Sequence, residues 1–166
     1  MSICQTCGPA GSSQGHTHVT SCDNNGRWIA DSHNGTDPDD DYLGIEVIAS
    51  NERFAGSAYI YAGVAELSLL AAKLDGFPRS DDDRRSHEFG NRNPACAGGF
   101  VGVTLHCLDR AGHLGVDLVF EDDNRRDARA HAAFGFRTEP AALDKFIESL
   151  RQIERNRFGS ASLALT

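Results

Sequence analysis

Val101-Gly102-Val103-Thr104-Leu105-His106-Cys107 and Leu114-Gly115-Val116-Asp117-Leu118-Val119-Phe120, joined through Asp109-Arg110-Ala111-Gly112, decide the fold class. Val101, Val103, Leu105 and Cys107 fall on one side of the first run, and Leu114, Val116, Leu118 and Phe120 on one side of the second. A period of two is that of a strand with one buried face, and a turn with Gly near its end makes the pair an antiparallel hairpin. Cys107 shares the apolar side and reads as a small buried hydrophobe.

The same alternation extends outward in both directions. Downstream, the polar turn 122–127 leads into Ala130, Ala132, Phe134 and Phe136, which alternate with polar or small residues. Upstream, Gly44–Ala49 and Phe54–Tyr61 read as two strands about a turn at Ser50-Asn51. Two segments change period. Val64, Leu67, Leu70, Ala71 and Leu74 recur at helical spacing and stop at Gly76, suited to a left-handed cap, before Phe77-Pro78. Leu143, Phe146, Ile147, Leu150 and Ile153 form the stripe of a second helix, with Thr138 placed as N-cap and Pro140 in the first turn. Residues 79–99 read as a long polar connection.

The expected order is therefore β-β-α-β-β-β-α: an α+β domain with an antiparallel sheet of about five strands and two helices on one face. The expected divisions are a leader at 1–42, a single domain at 43–158 and a fraying tail at 159–166. The leader is rich in turn formers, and Trp28-Ile29, its only apolar island, reads as a short strand or an anchor onto the domain.

Charge is unevenly distributed. The net charge is −8, and residues 1–43 hold one basic residue, Arg27, against six aspartates. Such a balance repels nucleic-acid phosphates and suits a basic protein partner. No apolar run is long enough to span a membrane, and the first residues lack the pattern of a signal peptide, so the expected compartment is the cytoplasm.

Two kinds of chemistry compete with a simple binding role. The front segment reads C-x2-C-x8-H-x-H-x3-C, and Cys4, Cys7, His18 and Cys22, with His16 as an alternative ligand, can make a tetrahedral zinc site. Against it stand the absent second cysteine knuckle and the scarcity of supporting apolar residues; an unliganded leader is the competing reading. The acidic runs 39–41, 81–83 and 121–123 lack the spacing of a calcium loop and read as solvated turns. His106 and His131 fall on the polar sides of their strands, and no nucleophile–base pattern or phosphate loop accompanies them. The expected role is thus binding rather than catalysis, with a small-molecule site or enzyme using His106 or His131 as the alternative.

From about Arg53 onward the chain resembles the WapI-type immunity proteins of bacterial polymorphic toxin systems. The residues that carry the resemblance are Phe54-x-Gly56, Leu74-Asp75-Gly76-Phe77-Pro78, Glu88-Phe89-Gly90, the Val103-to-Leu118 hairpin, and Pro140-x-x-Leu143-x-x-Phe146-x-x-x-Leu150. The resemblance implies a non-enzymatic antidote that binds a cognate toxin, a basic toxin domain being the expected partner. It transfers no individual site residue, because the partner surface of such families varies.

Overall fold

The computed structural model describes residues 27–33, 42–51, 53–93, 98–122 and 130–166, with 27–33 and Asp122 described by backbone alone. Among them run eight strands and two helices: β1 (Arg27–His33), β2 (Tyr42–Ser50), β3 (Ala55–Gly63), α1 (Val64–Leu74), β4 (Arg84–Gly90), β5 (Phe100–Cys107), β6 (Leu114–Asp122), β7 (Ala130–Thr138), α2 (Pro140–Asn156) and β8 (Gly159–Ala164). The α+β class with antiparallel pairing is as the alternation predicts. The strands form two four-stranded sheets, β3-β2-β1-β8 and β4-β5-β6-β7, in place of one of about five.

Three strands are additions. β4 lies inside the stretch expected to be a polar connection, and β8 occupies the expected fraying tail. β1 takes the strand form of the two read at Trp28-Ile29, outside the expected order, and it sits in the interior of its sheet, paired to β2 on one side and β8 on the other.

Period two places the core. Leu43, Ile45, Val47 and Ala49 of β2, Ala58, Ile60 and Ala62 of β3, and Ala161 and Leu163 of β8 turn inward and are buried. Val101, Val103 and Leu105, and Leu114, Val116, Leu118 and Phe120, do the same from the second sheet. α2 packs against β8 and α1 against α2, so Leu67, Leu70, Leu143, Phe146 and Leu150 complete one continuous core. β3 also lies across β5 and β6. The approach is close at Gly56, where a Cβ would stand 2.9 Å from the Phe120 ring, so a larger residue would require that buried ring to shift.

Helix ends correct one expectation and support another. Thr138 is the last residue of β7, and its hydroxyl donates to the carbonyl of Ala164 at 2.6 Å; the N-cap of α2 is Glu139, which makes no side-chain capping bond. α1 ends as expected, with Gly76 at φ +65° and the Phe77 N–H donating to Leu74 O at 3.0 Å. Its last carbonyls are also held from outside. Arg85 of β4 donates to the carbonyls of Lys73 (2.6 Å) and Asp75 (3.0 Å), and pairs with Asp83 at 2.7 Å. Residues 81–85 are therefore a structured junction, not merely a charged loop.

Candidate functional site

The outer face of the first sheet is the most distinctive surface. Because alternate residues of β2 and β3 enter the core, Tyr42, Gly44, Glu46 and Ile48 are left outward on β2, and Ser57, Tyr59 and Tyr61 on β3. All three tyrosines of the chain stand here. Tyr42 is 62% exposed and Tyr61 48% exposed. The rings of Tyr59 and Tyr61 meet edge to face with centroids 5.3 Å apart. Burial, followed by the neighbouring Tyr61 and Glu46, raises the pKa of the Tyr59 hydroxyl above its ordinary value, so the phenol stays protonated and able to donate.

At one end this face runs into a cavity of about 470 Å³ at the seam of the two sheets. Ile48, Ala55 and Ser57 contribute from the first sheet, Phe120, His131 and Ala132 from the second. The register joins the cavity to the tyrosines: Ile48 pairs with Ser57, one row along from Glu46 and Tyr59. Small side chains at 55, 57 and 132 keep the space free, and the buried Phe120 ring, stacked on Phe134 at 5.9 Å, supports its apolar side.

The histidines singled out in the sequence are not brought together. His106 and His131 lie on β5 and β7, and the ladders through β6 set His106 beside Arg137 but His131 six residues further along, roughly 20 Å away. His131 is exposed and lines the cavity. On the outer face of the second sheet, His106 has its Nδ1 3.5 Å from Asp117 Oδ2, and Arg84 reaches the same oxygen at 3.5 Å. These contacts are long, and Nδ1 has no hydrogen-bond partner despite being shielded from solvent. Ser86 and Thr104 share a hydrogen bond of 2.9 Å on the same face.

The acidic turns serve structure where they are described. Asp82 accepts from the Ser80 hydroxyl at 2.7 Å, and Asp83 from Arg85 and the Arg79 N–H. Glu121 pairs with Arg92, whose guanidinium sits 3.7 Å over the Phe100 ring. Cys107 is half-buried, its thiol donating to Ser80 O at 3.3 Å. Among the described residues, no three His, Cys, Asp or Glu side chains converge as a metal-binding group. Cys4, Cys7, His16, His18 and Cys22 lie outside the described residues, as does the run 39–41.

Sequence reasoning alone misses the tyrosine face. The signal is present as Tyr at 42, 59 and 61, all outward by the same alternation that sorts the core, but joining them needs the β2–β3 register. No described helix is long and apolar enough to cross a membrane. Comparison with protein-family models, with curated proteins and with solved structures finds no match.

Proposed function

We propose that this chain is a protein-binding domain that acts by covering a surface of its partner, in the manner of the immunity proteins its sequence resembles, with a basic toxin domain as the partner. The observation that carries the reading is the tyrosine face opening into a cavity. Tyrosine supplies a large, rigid contact at little entropic cost and is enriched at protein interfaces, where hot spots are aromatic anchors beside pockets. A net charge of −8 favours a basic partner and a fast encounter with it.

A face, rather than a sheet edge, is the supported docking mode. Each terminal strand already has an outward carbonyl engaged: Gly99 N–H donates to Tyr59 O on β3, Lys73 to Ser86 O on β4, Asn51 to Gly135 O on β7, and Thr138 to Ala164 O on β8. Strand addition by a partner would compete with all of these.

Co-expression with the product of the adjacent gene tests the proposal. The expected result is co-purification and rescue of growth, both lost in a Tyr42→Ala/Tyr61→Ala double variant and kept in Arg137→Ala on the other sheet. Full rescue by the double variant would overturn the assignment to this face. A second reading rests on the cavity alone, whose volume suits a small ligand with one polar group facing Ser57 or His131. Substrate turnover lost on His131→Ala would favour it.

A further inference from the structure

The tyrosine face also carries a charge pattern that specifies what lands on it. On the described outward positions of β2, β3 and β8 the charged residue is Glu46, and none is basic. Its partner across the β2–β3 ladder is Tyr59. On its other side the β1 register sets Asp31 directly opposite Glu46.

Glu46, a carboxylate beside the Tyr59 and Tyr61 rings with no basic residue at the described outward positions of β2, β3 and β8, makes an environment that holds a guanidinium or ammonium, through charge and through the exposed ring surface. One row away, Ile48 and Ser57 open into the cavity. Successive outward residues of a strand are about 6.8 Å apart, which is also the spacing of same-side residues in an extended peptide.

Building on the protein-binding reading, we propose that the occupant of this face is an extended basic segment of the partner: a Lys or Arg rests on Glu46 beside the Tyr59–Tyr61 pair, and an apolar side chain two positions away enters the cavity. Neither anchor alone fixes direction or register. Together they select a segment with a basic and an apolar residue separated by one.

Selection of a random phage-displayed peptide library on the immobilised full chain tests this even while the natural partner is unidentified. Enrichment of peptides carrying Lys or Arg two positions from Leu, Ile, Met or Phe is expected. By titration calorimetry those peptides should bind Glu46→Gln about tenfold more weakly, with a flatter salt dependence. Tyr61→Ala should weaken binding similarly, whereas Tyr61→Phe, which keeps the ring, should bind as the unaltered chain does. Enrichment of peptides without a basic residue, or equal binding to Glu46→Gln, would overturn the inference. If selected peptides respond to Asp117→Asn but not to Glu46→Gln, protein binding stands and the assignment to this face falls. If nothing is enriched, the segment proposal fails, while rescue by the adjacent gene product still judges the broader reading.

Discussion

Lys73, in the last turn of α1, donates from Nζ to the carbonyl of Ser86 at 2.7 Å and so blocks the outer edge of β4. An unpaired strand edge is a template for another chain, and a lysine set against it is a common safeguard. β4 is a terminal strand of its sheet, with β5 as its one neighbour there.

Replacing Lys73 by Met should therefore raise self-association. Light scattering across a concentration series is expected to show larger species for Lys73→Met, while Lys73→Arg, which retains a donor, stays like the original chain. Identical behaviour of the two variants would assign the protection of β4 to something other than Lys73.

Arg85 joins three features: it pairs with Asp83, donates to the final carbonyls of α1, and lies 5.1 Å over the Phe77 ring. Both members of the ion pair are largely shielded, at 13% and 14% side-chain exposure. The positive charge also suits the negative end of the helix dipole. Arg85→Ala should cost about 2–3 kcal/mol, because several charge-assisted hydrogen bonds are lost at once. Arg85→Lys should recover only part, since an ammonium cannot span both the carbonyls and the carboxylate. Chemical denaturation of the three proteins measures both effects.

His87 faces inward from β4 and its Nε2 is shielded without a hydrogen-bond partner. Burial first, and the nearby Lys73 second, lower its pKa from 6.5 to about 4. A depressed histidine pKa means that the folded state favours the neutral ring. The stabilisation is complete above about pH 6.5 and is lost as pH falls from there through 4. Allowing for its partial exposure, the loss is roughly 2 kcal/mol. Urea midpoints should decline over this window and decline less in His87→Met, in which nothing titrates at that position.

Phe146 is fully buried beneath α2. Truncation to Ala should cost about 3–5 kcal/mol, through lost burial and the cavity left behind. A loss below about 1 kcal/mol in thermal or chemical unfolding would mean that the α2 stripe does not pack as described.

Most of the fold can be read from alternation because β2, β3, β5, β6 and β7 bury hydrocarbon on every second residue. β4 cannot. Its inward residues are Arg85, His87 and Phe89, two of which are polar and take their places through helix capping and a neutral imidazole. β8 is hidden by brevity, burying only Ala161 and Leu163. The cavity depends on β3 meeting the ends of β6 and β7, a long-range contact that local pattern does not encode. The tyrosine face lies between these cases: its residues are visible, but their adjacency rests on the turn at Asn51, whose side chain accepts from the Phe54 N–H at 2.8 Å.

Because β1 lies between β2 and β8, it cannot acquire its second neighbour until the chain has been made through Gly159–Ala164, more than a hundred residues later. The second sheet, β4 to β7, has no such delay, since each of its strands pairs with the next in sequence. Synthesis would thus yield a hairpin stack first and leave β1 with one side vacant until Gly159–Ala164 emerges. A stalled or prematurely terminated chain would carry that vacancy permanently, making it a natural substrate for chaperones and proteases.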